Sequence, residues 1–252
     1  MIQVKIRSVA ELIDSARTVF SGFGRTTTWF RGQSSSSWSL VPLVHRQYDR
    51  HGEHSLAARF LLAAPTRYEP TPDLEDLSGW LCLMQHFGLP TRLLDWSASP
   101  LVALYFAVNS GPCAGDAAVW GMVPSGLNAK SMASREETFV LSGPEARALV
   151  VAALRQGSPI DDVLAVVAQD IDLRMAVQQG AFSLHGTDQP MESRTGADRY
   201  LAKLVIPHSA IAALQEELWF LGIRRASLFP DLTNLAIDLC NDHRLIPIKT
   251  VT

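Results

Sequence analysis

The chain has 252 residues, of which 47% are hydrophobic and 19% are charged, so it can bury one large core or two small ones. Its formal net charge of −3 gives no overall basic field for holding a phosphate backbone, which argues against generic DNA binding. Its three cysteines, Cys82, Cys113 and Cys240, lie far apart without histidines at ligand spacing. They indicate neither a disulfide framework nor a zinc site, and they favour the cytosol as the compartment.

The N-terminal sequence and the apolar runs bear on the location of the protein. The opening stretch MIQVKIRSVAELID is amphipathic and lacks the basic, apolar and small-residue regions of a signal peptide. No apolar run reaches the roughly 18 residues that a membrane span requires. We therefore expect a cytoplasmic protein without a membrane partner.

Helix and strand signals follow one another along the chain without a regular alternation. Capping residues and apolar spacing predict helices at residues 9–20, 53–67, 77–86, 100–107, 143–156, 159–169 and 209–221. Runs of β-branched and aromatic residues predict strands at residues 26–32, 91–96, 117–123, 181–185 and 201–206. The polar stretches 130–138 and 186–199 are typical of a linker and a mobile loop. This order predicts a single α+β domain, and no Gly-rich dinucleotide or Walker motif contradicts it.

Two motifs place polar side chains inside apolar runs. The first is Trp29-Phe30-Arg31-Gly32-Gln33, and the second is the segment QHFGLPTRLLDWS at residues 85–97. Charged and amide groups in such runs are costly to bury unless they pair with each other or meet a ligand. Function is therefore to be sought in these two segments.

Structural and functional interpretations of these residues remain open side by side. Arg31 either forms a buried pair with Asp95 or holds a ligand. His86 ends a helix, where an imidazolium either caps carbonyl groups or serves in acid–base chemistry. Arg92 and Asp95 are three residues apart in a predicted strand, so they should point to opposite faces and not pair with each other. Trp96 is typical of core packing, although an aromatic ring beside an arginine can hold a base.

Four longer blocks carry a resemblance to a known family. They are WFRGQSSSSWSLVPLVHR, LMQHFGLPTRLLDWSASPLVALYFAV, QQGAFSLHG and GIRRASLFPDLTNLA. In this order they resemble the signature blocks of the FRG domain family, which is named for its Phe-Arg-Gly motif. Because the blocks span nearly the whole chain, the resemblance implies a single FRG domain over residues 1–252.

A second resemblance concerns the order of parts. The chain has a strand that ends in an aromatic-Arg-Gly triplet, and then a strand that ends in serine and leads into an Ala-Leu-Tyr-Phe-Ala helix. This order of parts is similar to that of ADP-ribosyltransferases. The resemblance implies a mixed, mainly antiparallel central sheet flanked by helices. It also implies that Arg31 orients the phosphate or nicotinamide ribose of NAD, and that residues 91–97 form the pocket wall. A guanidinium pairs well with phosphate, and Gly32 would let a ligand approach the backbone closely.

One element of that second resemblance is altered in this sequence. Such enzymes carry a glutamate on a later strand, and the matching place here is Gln178-Gln179-Gly180. A glutamine can orient a hydroxyl group but cannot supply a negative charge or accept a proton at neutral pH. Glu53, Glu69 and Asp95 are other carboxylates that could take this part.

Two hypotheses of function follow. In the first, the chain uses NAD as substrate, either transferring ADP-ribose to a protein or nucleic-acid acceptor or hydrolysing the glycosidic bond, in a toxin or phage-defence role. In the second, it is a non-catalytic module that senses a nucleotide or binds a protein partner. The first hypothesis assigns catalytic roles to Arg31, Gln179 and His86. It assigns NAD binding to Arg31, Gly32, Gln33, Thr91, Arg92, Asp95 and Ser97.

Overall fold

The computed structural model describes residues 2–21, 27–111, 115–131, 137–155, 160–169 and 173–241. The helices are α1 (Val9–Phe20), α2 (Leu43–Gln47), α3 (Arg50–Ala63), α4 (Leu77–His86), α5 (Pro100–Asn109), α6 (Pro124–Ser131), α7 (Pro144–Leu154), α8 (Leu173–Gln178), α9 (Ile211–Phe220), α10 (Arg225–Leu228) and α11 (Leu232–Cys240). The strands are β1 (Ile2–Lys5), β2 (Trp29–Gln33), β3 (Leu93–Ser97), β4 (Ala117–Met122), β5 (Phe139–Val140), β6 (Val163–Val167), β7 (Gly180–His185) and β8 (Leu201–Ile206). None of the helices in these ranges combines the length and the apolar character needed to cross a lipid bilayer.

The strands of the described ranges join into one eight-stranded sheet in the order β1-β8-β4-β2-β3-β7-β6-β5. The outer pairs β1–β8 and β5–β6 are parallel, and the inner pairs are antiparallel. The fold is therefore α+β with a mixed, mainly antiparallel sheet, which confirms the predicted fold class. One hydrophobic cluster surrounds β2, β4 and β8 with α1, α5 and α9, and a second lies between β6, β7, α4 and α7.

Local sequence signals explain several helix starts. The Ser8 hydroxyl accepts a hydrogen bond from the amide of Glu11 at 3.1 Å and caps α1. Ser99, one of the two predicted caps of α5, accepts from the amide of Val102 at 3.4 Å, and Pro100 occupies the first turn. The glycines predicted to close α1, Gly22 and Gly24, lie outside the described residues.

One predicted element is wrong, and so is the predicted cap of one helix. Residues 159–169 were predicted as a helix, but Val163–Val167 form strand β6, paired with β5 on one side and β7 on the other. The acidic residues before this run imitate a helix start, whereas its five apolar, mostly β-branched residues have the length and buried character of an interior strand. The predicted cap Ser209 lies within a 3-10 turn, His208–Ala210, and α9 has no side-chain cap.

The polar stretch 186–199 is also more ordered than predicted. It contains two 3-10 turns, Met191–Ser193 and Ala197–Arg199, whose residues Met191 and Ala197 are buried in the first hydrophobic cluster. These two apolar anchors fix the connection between β7 and β8 against the core. The predicted linker at 130–138 lies partly outside the described residues.

The sheet opens between its two central strands. Within the described residues, β2 pairs with β3 at Phe30 and Ser97, whereas β2 pairs with β4 over its full length from Trp29 to Gln33. Beyond the Phe30–Ser97 pair the two strands diverge. Where two strands do not pair, their backbone N–H and C=O groups need other hydrogen-bond partners. The opening between β2 and β3 is therefore where side chains or a ligand can enter the sheet.

Gly32 lets helix α5 lie directly against β2. A Cβ atom at this position would overlap the carbonyl oxygen of Ala103 and lie 2.5 Å from the amide nitrogen of Ala107. The backbones of the strand and the helix are thus in contact, and Gly32 is a strand residue rather than a turn residue. This contact sets the position of α5 relative to the opening in the sheet.

We expect Gly32→Ala to destabilise the protein by about 3 kcal/mol, because the methyl group must push α5 away from β2. Gly115→Ala is the matched control, since a Cβ at Gly115 meets nothing within 4 Å. Urea unfolding of both variants measures the difference. Equal, small losses in the two variants would contradict the close contact.

Candidate functional site

The divergence of β2 and β3 forms a cleft of about 440 Å³. Several residues of the two sequence motifs line it: Arg31, Gly32, Gln33, Gln85, Thr91, Asp95, Trp96 and Ser97. The sequence analysis did not single out other residues that line it: Ser34, Trp38, Leu43, Arg46, Phe106, Arg174 and Gln178. The structure thus brings the two motifs together around one opening, with walls from α2, α5 and α8.

Arg31 spans the gap between the two strands. Its Nη1 donates to the backbone carbonyl oxygen of Asp95 at 2.6 Å, and it lies 3.8 Å from Oδ2 of the same residue. The side chain is 19% exposed, and its Nε is buried without a partner among the described residues. The predicted pairing of Arg31 with Asp95 is therefore present, and part of the guanidinium remains available to a ligand.

Burial is the main influence on the charge of Arg31. It lowers the pKa of the guanidinium from its ordinary value, the Asp95 carboxylate opposes this, and the charge of Arg46 adds to it. An arginine remains protonated in proteins despite such a shift. Arg31 is consequently a partly desolvated cation, whose attraction for an anion is stronger than that of an arginine in water.

Gln85, Thr91 and Asp95 form a directed chain of hydrogen bonds. The Thr91 hydroxyl oxygen accepts from the amide of Leu93 at 3.1 Å, so its proton is free to be donated to Oε1 of Gln85. With Oε1 fixed in this way, Nε2 of Gln85 faces Asp95 and donates to both carboxylate oxygens at 2.9 Å. The second motif therefore holds the Asp95 carboxylate in one orientation at the cleft.

Arg92 points away from this cleft. Its Nε and Nη2 donate to the two carboxylate oxygens of Glu53 at 2.5 and 2.6 Å, in a pair that is almost fully buried. Arg92 and Glu53 line a second cavity of about 370 Å³ together with His45. As predicted, Arg92 and Asp95 do not pair, but the expectation that Arg92 lines the same pocket as Arg31 does not fit this geometry.

Gln33 is occupied by structural contacts. Its Oε1 accepts from Nε1 of Trp120 at 2.7 Å, and its Nε2 donates to the carbonyl oxygen of Ser39 at 3.3 Å. The Lys203 ammonium lies over the Trp120 ring, 4.8 Å from its centroid, and donates to the carbonyl oxygen of Ser36. Burial lowers the pKa of Lys203. Gln33 thus holds the serine-rich loop that follows β2 at Ser39, and Lys203 holds it at Ser36.

This anchored loop presents Trp38 to the cleft. The amide of Ser36 donates to the carbonyl oxygen of Asp116 at 2.6 Å, so Ser36 is held through both of its backbone groups. Trp38 is 50% exposed and lines the cleft together with Leu43 at the start of α2. An exposed indole on a loop that is fixed by hydrogen bonds is a ready stacking surface for a planar ligand.

The segment that carries Gln178 and Gln179 is attached to the end of β3. The Ser97 hydroxyl donates to the carbonyl oxygen of Gln178 at 2.6 Å, and the amide of Ala98 donates to the carbonyl oxygen of Gln179 at 3.1 Å. Gln178 lines the cleft. Gln179 is exposed and has a left-handed backbone with φ of 48°. Among the described residues, Gln179 is not part of the cleft lining. Its side chain is therefore not placed to orient a ligand bound there.

His86 is likewise outside the described lining of the cleft. It is the last residue of α4, and its ring packs edge-to-face against Phe87 with centroids 4.8 Å apart. The acid–base role that the sequence suggested for His86 has no support from this position.

The cleft is positively charged. Its charged lining residues, within the described ranges, are Arg31, Arg46, Arg174 and Asp95. Three arginines against one aspartate give a formal charge of +2. Arg174 stacks on Phe229 at 4.8 Å from the ring centroid, and Phe229 packs edge-to-face on Phe106 of α5 at 6.0 Å. The C-terminal segment thus positions one of the three cations, in keeping with its predicted packing role.

Asp231 contacts neither Arg31 nor Arg92 and caps α11. Its carboxylate accepts from the amide and the side chain of Asn234 at 2.8 and 2.6 Å. These hydrogen bonds lower the pKa of Asp231.

Cys82 is buried, and this burial raises the pKa of its thiol to about 12, so it is not a reactive thiolate at neutral pH.

Behind the cleft wall lies a buried polar chain. Nε1 of Trp96 donates to the Ser183 hydroxyl at 2.9 Å, and that hydroxyl is 2.8 Å from Nε2 of His185. Ser183 and His185 are fully buried, and Nδ1 of His185 has no partner among the described residues. Burial is the main reason that the pKa of His185 lies well below its ordinary value near 6.5, and the charge of His45 adds to it.

We expect these histidines to make the fold sensitive to acid. Burial also lowers the pKa of His45. As the pH falls through about 6.5, the unfolded chain protonates both imidazoles at a higher pH than the folded protein does, so unfolding takes up protons and stability decreases. The unfolding midpoint in urea at pH 7.5 and 5.5 measures this. His185→Gln should reduce the difference, whereas the exposed control His51→Gln should not; an unchanged difference in His185→Gln would contradict the assignment.

The buried Arg92–Glu53 pair should be essential to the fold. Glu53→Gln leaves a buried guanidinium without its counter-charge, and we expect a loss of about 3–5 kcal/mol in the free energy of unfolding. Glu75→Gln is the control, because the Glu75–Arg155 pair is exposed at the surface and should contribute less than about 1 kcal/mol. Chemical denaturation of the two variants compares them, and similar losses would contradict this difference in burial.

The comparison with known proteins agrees with the first resemblance. Residues 26–113 match the family model described as the FRG domain. No curated protein and no solved structure matches the chain. The matched span contains both motifs and most of the residues that line the cleft. The match to the FRG domain family therefore covers residues 26–113, about a third of the chain.

Proposed function

We propose that the cleft between β2 and β3 binds NAD or a related nucleotide, and that the protein acts on NAD as an ADP-ribosyltransferase or an NAD glycohydrolase. The observation that carries the proposal is the cluster of three arginines around the opening, one of which, Arg31, has a buried nitrogen without a partner among the described residues. A desolvated guanidinium in a cationic cleft favours a multiply charged anion such as a pyrophosphate.

The three cations come from separate elements. Arg31 lies on β2, Arg46 on α2 and Arg174 on α8. Arg31 and Arg46 line the same cleft, and the charge of Arg46 adds to the lowering of the pKa of Arg31. A ligand with two linked phosphates could therefore contact cations on different walls of the cleft.

The apolar part of the cleft supports a nucleotide over a simple phosphate. Trp38, Leu43 and Phe106 supply aromatic and aliphatic surface beside the arginines. The volume of about 440 Å³ falls within the usual range of small-molecule sites. A base stacked on such a surface and a pyrophosphate held by arginine would use both parts of the cleft.

The geometry also bears on the carboxylates that could replace the missing glutamate. Glu53 is fully engaged with Arg92 in the second cavity, and Glu69 is exposed outside the described lining of the cleft. Asp95 is the carboxylate that lines the cleft within the described ranges. It is the group best placed to contact the sugar of a bound nucleotide.

We further propose that the functional domain extends beyond residues 26–113 toward the full span 1–252. Strand β2 pairs with β4, and β3 pairs with β7, and both partner strands lie outside the matched span. Lys203 and Arg174, which also lie outside it, position the loop and one cation of the cleft. The site therefore draws on sequence that the family match does not cover.

We expect NAD to bind the wild-type protein. The variants Arg31→Ala and Arg46→Ala should bind NAD at least tenfold more weakly, because each substitution removes one charge-assisted contact. Arg199→Ala, an exposed arginine that does not line the cleft, is the charge-matched control and should bind as the wild type does. Isothermal titration calorimetry measures the affinities, and chromatography of the titrated sample measures released nicotinamide.

The outcomes separate the two hypotheses. Binding with release of nicotinamide supports an enzyme that acts on NAD, while binding without release supports a nucleotide sensor. Arg31→Ala also loses the hydrogen bond to the Asp95 carbonyl, so its melting temperature must be measured, and Arg46→Ala reports on binding apart from that contact. No binding of NAD at millimolar concentration would reject the proposal and leave a protein-binding module as the better account.

A further inference from the structure

Asp95 places a negative charge where the cleft is otherwise positive. Its side chain is 60% exposed. The carboxylate is a counter-charge to Arg31, but the short contact of Nη1 of Arg31, 2.6 Å, is with the backbone carbonyl oxygen of Asp95, and the carboxylate lies farther away at 3.8 Å. Any residue at position 95 would supply the carbonyl acceptor. The exposed carboxylate therefore keeps capacity for a further partner.

The hydrogen bonds of Gln85 define what the carboxylate can still accept. A carboxylate oxygen has two acceptor directions, and Nε2 of Gln85 uses one direction on each oxygen. Because Thr91 fixes Oε1 of Gln85, the amide cannot turn to offer its oxygen to Asp95 instead. Asp95 thus presents two adjacent, oriented acceptors, one on each oxygen, at the surface of the cleft.

Two adjacent acceptors match two adjacent hydroxyl donors. The 2′- and 3′-hydroxyls of a ribose form such a pair, and acidic side chains bind ribose hydroxyls in dinucleotide sites. The two phosphates of the NAD pyrophosphate carry no proton at neutral pH, and the carboxylate repels them. The arginines and Asp95 therefore select different parts of one ligand.

We infer that Asp95 binds the ribose hydroxyls of the nucleotide, with Gln85 and Thr91 as positioning residues that hold its carboxylate. The inference rests on the proposed function and deepens it by naming the ligand class as a ribonucleotide with free 2′- and 3′-hydroxyls. A deoxyribonucleotide lacks one of the two donors and leaves one acceptor of Asp95 without a partner when bound.

The test compares three probes by calorimetry: ADP, 2′-deoxy-ADP and inorganic pyrophosphate. We expect the wild type to bind ADP about tenfold more tightly than 2′-deoxy-ADP, the effect of one hydrogen bond to a charged acceptor. In Asp95→Asn we expect the ratio to fall toward one, with pyrophosphate bound as tightly as before or more tightly. Asp198→Asn, an exposed aspartate that does not line the cleft, should keep the wild-type ratio.

The readouts distinguish failure of this inference from failure of the proposed function. Equal binding of ADP and 2′-deoxy-ADP by the wild type would overturn the role of Asp95 while leaving nucleotide binding intact. The same follows if Asp95→Asn weakens all three probes by one factor, or if the wild type binds NAD and not ADP. Should Asp95→Asn fail to fold, the wild-type comparison of the two nucleotides decides alone. Absence of binding by NAD, ADP and pyrophosphate would reject the proposed function, and this inference with it.

Discussion

The arrangement of the site depends on how the sheet continues across β2 and β3. Two neighbouring strands share the Phe30–Ser97 pair, and farther along the Arg31 side chain reaches a carbonyl oxygen of the opposite strand. A guanidinium satisfies that carbonyl where strand pairing has ended, so the opening carries a smaller cost in unpaired backbone groups. The same residue thus supports the gap and lines it. The cleft, its charge and the exposure of Asp95 all follow from this one hydrogen bond, in which a side chain takes the place of strand pairing.

The elements around the gap are fixed by contacts that leave little freedom. Gly32 brings the backbone of α5 against β2, Lys203 and Gln33 anchor the loop that carries Trp38, and Thr91 orients Gln85. The Gly32 and Lys203 contacts join residues far apart in sequence, whereas the Gln33 and Thr91 contacts each join residues six apart. Such a preorganised cleft loses less conformational entropy when a ligand binds than a flexible one does.

Much of this could be read from the sequence, and the reasons for the exceptions are physical. The presence of the charged residues Arg31 and Asp95 inside apolar runs located the cleft, and capping signals located α1 and α5. The partner of Arg92 was not foreseen, because Glu53 lies on a helix that a sequence pattern cannot place against a distant strand. Trp38, Arg46 and Arg174 were missed because each lies in a loop or a short helix, and no sequence pattern gives the position of that loop or helix relative to the cleft. The strand at Val163–Val167 was missed because acidic residues before it imitate a helix start.

The strand order divides the sheet at the cleft into two groups of equal size, β1-β8-β4-β2 and β3-β7-β6-β5. Arg31 and the Trp38 loop belong to the first group, since Gln33 and Lys203 tie that loop to β4 and β8. Asp95 belongs to the second, and so does Arg174, because α8 is attached to the end of β3 through Ser97. A molecule that contacts both sets of side chains bridges two halves of the fold that share little strand pairing. Its contacts would then join the two groups of strands where strand pairing is lacking. Binding of a ligand in the cleft would therefore also stabilise the two halves of the sheet against separation.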